Sequence, residues 1–198
     1  MRVMTVCCLL VCVGFFGCKA RVKPLSAEQQ VVWDRFLEKH LSSGMVMPNS
    51  GDATAVAAIG DAIVPYVEEN LGKAYRGPGG KSDYWLLIVL GRIGSPKAVD
   101  VICKALEHDY PGALGRDRET AAKALVWLGA KHKAPVLKAA IEDHEKRIKE
   151  RLAEKTGGQR QVEKLGYEEE LNTLRRRLKM LEEGKGKRDM TNFPFDRM

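Results

Sequence analysis

Reactive side chains are sparse in this 198-residue chain, and few of them are spaced for chemistry. Tyr75-Arg76-Gly77-Pro78-Gly79-Gly80-Lys81-Ser82 ends in the Gly-Lys-Ser of a phosphate-binding loop. That loop needs another glycine five residues before Gly80, where Tyr75 stands, and a strand before it, where the pattern here is helical. It reads as a connecting loop. The histidines are His40, His108, His132 and His144; no two sit at a metal-ligand spacing, and no His-Glu-x-x-His occurs. Cys103 shares an apolar face with Val99, Ile102 and Leu106 and reads as a small core residue. Glu68-Glu69, and Asp109 with Asp117, are acid–base candidates by type only, and they read as solvated surface. No catalytic residue, metal or cofactor is assigned, and binding is expected rather than catalysis. The remaining reactive group is the thiol of Cys18.

Cys18 closes an apolar run. Arg2 is the sole charge before it, and Val3 to Phe16 is apolar apart from Thr5 and Gly14. A charged start, a short apolar stretch and a small-residue exit make a secretory signal. A membrane-spanning helix needs about twenty apolar residues. This run is shorter, and Lys19, Arg21 and Lys23 end it. Gly14-Phe15-Phe16-Gly17-Cys18 resembles the lipobox of bacterial lipoproteins: Gly17 and Cys18 match the pattern, while Phe15 and Phe16 are larger than it prefers. The resemblance implies cleavage before Cys18 and a diacylglyceryl group on its thiol. Two acyl chains suffice for stable anchoring.

Export bounds the rest. Cys7, Cys8 and Cys12 leave with residues 1–17, so only Cys103 remains beside the anchor and no disulfide framework is available. The fold must rest on an apolar core, which 44% hydrophobic residues can supply. The formal charge of +7 loses only Arg2. A basic surface suits an acidic protein or anionic lipid; nucleic acid is not expected of an exported chain.

The elements are helical. A short tether spans 18–25. Ser26 is an N-cap candidate, and Val31, Val32, Phe36, Leu37 and Leu41, with Trp33 beside them, predict an amphipathic helix over 26–41. Apolar runs then alternate with Gly and Pro: 53–59, 63–71, 84–93, 99–106, 121–128 and 136–141. Tyr84 to Leu90 is apolar all round, which predicts an interior helix; a buried strand competes, but no partner strand is evident.

Leu90-Gly91-Arg92-Ile93-Gly94-Ser95-Pro96, followed by Val99, Ile102 and Leu106, resembles bacterial HEAT-like repeats of the PBS lyase type. Leu128-Gly129 with Pro135, Val136, Leu137 and Ile141 repeats the theme, and Ile59-Gly60 with Pro65, Val67 and Leu71 carries an earlier copy. The resemblance covers roughly 52–141 and implies an all-α fold, a short α-solenoid of about three helix pairs, which with the N-terminal helix makes a domain over 26–141. One pair cannot bury both its faces, but stacked pairs can. Lys97, Lys104, Lys131, Lys133 and Lys138 fall in or beside the second helices, which the resemblance places on the concave, partner-binding face.

Residues 142–183 read as a charged helical extension. Glu142–Lys146, Asp143–Arg147 and Glu145–Lys149 are acid-before-base pairs, each worth about 0.2–0.5 kcal/mol to a helix. Thr156-Gly157-Gly158 breaks the run. Leu171, Leu174, Leu178 and Leu181 then make a coiled-coil-like seam. The seam closes a hairpin within the chain or pairs with another chain; the hairpin is preferred, and oligomeric state stays open. Residues 184–198, with Phe193-Pro194-Phe195, read as a disordered tail.

The expectation is therefore a lipid-anchored envelope adaptor that binds an unidentified protein through a repeat surface. A HEAT-like lyase acting on a tetrapyrrole is the enzymatic alternative, and nucleic-acid binding is the alternative if the chain is not exported. Mass spectrometry should find a mature N-terminus at Cys18 carrying lipid, with Cys18→Ser left unprocessed. An unmodified, full-length product from the unaltered chain would overturn the export reading.

Overall fold

The first two helices start where a side chain caps their free amides. The computed structural model describes residues 23–41, 47–73, 82–107 and 116–185. Cys18 and the leader, Tyr75–Lys81, His108, Asp109 and the tail beyond Lys185 lie outside them. Helix α1 spans Ala27–Leu41. Ser26 Oγ accepts from the Gln29 amide at 3.2 Å, and Gln29 Oε1 accepts from the Ser26 amide at 3.0 Å. This reciprocal cap satisfies two otherwise orphaned donors. Helix α2, Ser50–Ala57, begins with the same device, built from Asn49 and Asp52.

The buried face of α1 is rotated from the one its aliphatic residues suggest. Trp33, Phe36 and His40 are buried, while Val31 and Leu41 are 57% and 40% exposed. Aromatic area decides the orientation: the Trp33 and Phe36 rings stack with centroids 5.8 Å apart, and Phe36 and His40 stack at 6.1 Å. A buried aromatic ring removes more apolar surface from water than a valine does.

The remaining helices are α3 (Val64–Asn70), α4 (Tyr84–Ile93), α5 (Pro96–Glu107), α6 (Arg116–Trp127), α7 (Ala134–Ala153) and α8 (Gly157–Glu182). They form two layers. In one layer α2 packs on α4, α4 on α6 and α6 on α8; in the other, α3 packs on α5 and α5 on α7. The architecture is all-α and HEAT-like. Helix α4 lies at its centre, and Leu86 to Gly91 are six consecutive buried residues. That bears out the interior helix over the strand.

Three turns set the repeat. Gly60, Gly94 and Gly129 each follow a first-layer helix with φ of +73°, +63° and +63°. The structural register therefore aligns Gly129 with Gly94, not with Gly91 as the Leu-Gly match suggests. Gly91 is a buried helical residue; Gly94 is the left-handed cap of α4. Proline then opens each second helix, at Pro65, Pro96 and Pro135, where a missing amide proton costs nothing.

The charged extension is continuous with this stack. Helix α7 runs through the junction expected between 141 and 142. Gly157 turns the chain with φ +65°, and α8 folds back along α7. The leucine seam faces inward: Leu171, Leu174 and Leu181 are buried. The second helix of the hairpin is thus the fourth member of the first layer.

The turn glycines provide a test. A Cβ on Gly94 would meet Leu128 Cδ2 at 3.0 Å, whereas one on Gly129 meets nothing within 4 Å. Alanine in the left-handed region costs about 1–2 kcal/mol. Urea unfolding should show that loss for Gly129→Ala and a larger one for Gly94→Ala. Equal, negligible losses would mean that these turns do not hold the repeats.

Candidate functional site

The second-helix layer carries the lysines that the repeat resemblance singled out, but it does not leave them equivalent. Successive second helices are tied by ion pairs. Lys104 of α5 holds Glu68 of α3, and Lys133, just before α7, sits 2.7 Å from Asp100 of α5. Each acid lies on the neighbouring helix, so the stacking itself creates both pairs. The Asp100 bond holds the Lys133 ammonium above its ordinary range, and Lys133 pulls the Asp100 carboxyl down. The Glu68 bond raises Lys104 likewise. All four groups keep enough exposure for solvent to screen them, so these pairs add register more than stability.

Lys97, Lys131 and Lys138 are exposed and enter no ion pair among the described residues. Lys97 lies in the first turn of α5 and Lys131 in the turn leading into α7. The stacking puts these two at corresponding ends of adjacent helices, with Lys138 further along α7. They are exposed cations of this layer, and Lys146 and Lys149 add two more further along α7. Cys103 lies beneath this surface; burial pushes its thiol up and keeps it an unreactive core group.

Spacing did not reveal a series of buried polar groups at the joints of the other layer. At the head of α4, Asp83 is fully buried. Its Oδ2 accepts from the Gly72 amide at 2.6 Å, and its Oδ1 lies 3.8 Å from His40 Nε2 on α1. Ser82 Oγ donates to Asp117 of α6 and accepts from the Tyr84 amide at 3.0 Å. Asp117 is 1% exposed, which corrects its reading as solvated surface. Burial pushes its carboxyl up to about 7; the amides of Asp83 and Tyr84 and the Arg118 charge pull it down, although Oδ2 has no aligned donor. Next along α6, buried Arg118 lies 3.5 Å from Glu170 of α8, and Glu170 lies 2.9 Å from His144 of α7. That last contact is off the angle of a hydrogen bond, and both His144 nitrogens lack an aligned partner. The Tyr167 ring stands edge-on to His144, centroids 6.4 Å apart.

These groups join one helix to the next across the stack. A buried polar side chain is costly unless paired, so each pairing specifies which helix lies where. Sequence offered one usable signal, Asp83 at the position before an apolar run. Asp117 and Arg118 look like ordinary first-turn charges until α4 and α8 pack on them. Among the described residues no group of three or more His, Cys, Asp or Glu could hold a metal ion.

Compared with known families, residues 69–155 match the model for HEAT repeats. That span runs from the end of α3 to just past α7, so it covers the α4–α5 and α6–α7 pairs and leaves α2–α3 outside. The chain thus carries HEAT-like repeats. No curated protein and no solved structure matches it.

The Asp117 carboxyl makes stability depend on pH. Its folded value, about 7, lies above the ordinary 3.8. The folded chain therefore keeps a proton that the unfolded chain loses between these values. Its contribution is full below about pH 4 and is lost as pH rises through about 7, by up to about 4 kcal/mol. Urea midpoints should fall between pH 5 and pH 8, and Asp117→Asn should flatten that fall. An unchanged slope in the variant would remove Asp117 as the cause.

Proposed function

We propose that this chain is a lipid-anchored adaptor of the bacterial cell envelope. It holds a protein partner on the layer formed by α3, α5 and α7. The observation that supports the reading is a regular stack of HEAT-like helix pairs. Such repeats are commonly protein-interaction scaffolds. Exposed, unpaired Lys97, Lys131 and Lys138 give this layer a preference for an acidic partner surface, and the lysines already held by Glu68 and Asp100 contribute little to it. Rim cations of this kind raise the association rate more than the affinity.

Anchoring rests on the leader and Cys18, which support it through sequence alone. No helix among the described residues is long and apolar enough to cross a membrane. The first described residues lead directly into α1, so a lipid on Cys18 would hold the stack within a short tether of the bilayer. A partner in the same membrane would then meet this face at high effective concentration.

Photo-crosslinking in intact cells tests the reading. A crosslinker placed at Lys97, Lys131 or Lys138 should give one discrete adduct, and one placed at Thr54 on α2 should not. Reversing the two lysines that do not carry the crosslinker to Glu should weaken the adduct at least several-fold while the full chain remains folded. Equal adducts from both faces, or none from the lysine positions, would overturn the proposed surface.

A further inference from the structure

Helix α8 ends the first layer, so one of its faces has no neighbouring helix in the stack. Its inner side is covered: Glu170, Leu171, Leu174 and Leu181 are buried against α6 and α7. Its outer side carries Leu165, Glu169, Asn172 and Arg176, at spacings of 4, 3 and 4. These four residues, together with Glu168 and Thr173, line one open surface patch on α8. They therefore share a face in the structure as well as on a helical projection. Leu165 is 57% exposed, and Val162, one turn before it, is 72% exposed.

The order of chemistry along this face is informative. Apolar residues come first, then Glu169, then the amide of Asn172, then Arg176. Such a face complements itself when reversed. A twofold axis between Asn172 and Thr173 sets Glu169 opposite Arg176 of the second copy, twice over. The same axis brings Leu165 against half-buried Met180 of the second copy and places the two polar centres side by side. A parallel arrangement would stack Glu169 on Glu169 and Arg176 on Arg176, which like-charge repulsion disfavours. Neither Glu169 nor Arg176 has an ion-pair partner among the described residues. Glu119 of α6 feels both charges, but its carboxyl is raised by burial and then by Glu170, and Arg177 acts on it more strongly than Arg176 does.

We propose that α8 pairs antiparallel with α8 of a second copy of this chain, through the stripe Leu165, Glu169, Asn172 and Arg176. Closed twofold contacts of this isologous kind are the commonest in soluble assemblies. A single helix pair buries less than a large obligate interface, so the dimer is weak and concentration-dependent. Two copies joined this way continue the first layer across the axis and leave both α3–α5–α7 layers open. The inference is independent of the partner and anchor proposed above.

Cysteine crosslinking of the full chain tests the pairing. Asn172→Cys lies beside the axis and should form a disulfide-linked dimer under mild oxidation, whereas Thr54→Cys should not. Glu169→Arg sets two arginines against each other and should weaken dimerisation about tenfold or more by sedimentation velocity. Glu169→Arg with Arg176→Glu restores the complement and should return it to within about threefold. Both positions are exposed, so circular dichroism should show all variants folded. A chain that stays monomeric at about 100 µM, an Asn172→Cys adduct made only with a different protein, or a dimer indifferent to Glu169→Arg would overturn the proposal.

Discussion

A helix that is apolar on every side cannot end a protein; it must lie inside one. Leu86 to Gly91 in α4 are buried in succession, and a helix presents such a run to all directions within two turns. Covering it requires neighbours on several sides. Helices α2 and α6 flank it within its own layer, and α5, with α3, lies beneath. The two-layer stack is the arrangement in which short helices meet that demand. Helices α5 and α6, which pack directly on α4, share in this enclosure and are themselves largely buried.

The joints of the stack are made with polar groups. Asp83 ties the start of α4 to the end of α3, Ser82 and Asp117 tie it to α6, and Arg118, Glu170 and His144 join α6, α8 and α7. Apolar contact favours helices touching but tolerates sliding, since it lacks direction. A buried carboxylate with one available cation tolerates much less, because a misplaced helix strands a charge. At the surface, Glu68–Lys104 and Asp100–Lys133 repeat the idea between second helices at lower cost and with lower gain. Charge in this protein serves registry as much as solubility.

Much of the fold was legible beforehand. Tyr84–Ile93 was readable to the residue, because the apolar run Tyr84 to Leu90 follows Asp83 and Gly94 closes the turn after Ile93. The cap at Ser26, the break at Gly157-Gly158 and the inward leucine seam of α8 followed from local chemistry as well. The repeat register was displaced, since two Leu-Gly pairs look alike in sequence although only Gly94 has the left-handed backbone of a turn. The face of α1 was also displaced: counting aliphatic positions gave Val31 and Leu41 the same weight as Trp33, and area does not. Of the lysine surface, the positions were legible and their availability was not, because Glu68 and Asp100 lie far from their partners along the chain.

Sequence alone determined that the chain is helical, roughly where its helices lie, and that the helices repeat. These are local properties: hydrophobic period, capping side chains, turn glycines and a short motif each act within a few residues. Only the tertiary structure decided that α8 belongs to the first layer, that Asp117 is buried with a carboxyl near 7, and which lysines remain unpaired. Each of those depends on groups brought together from separate helices. Burial and pairing are properties of neighbours in space, and only folding chooses the neighbours.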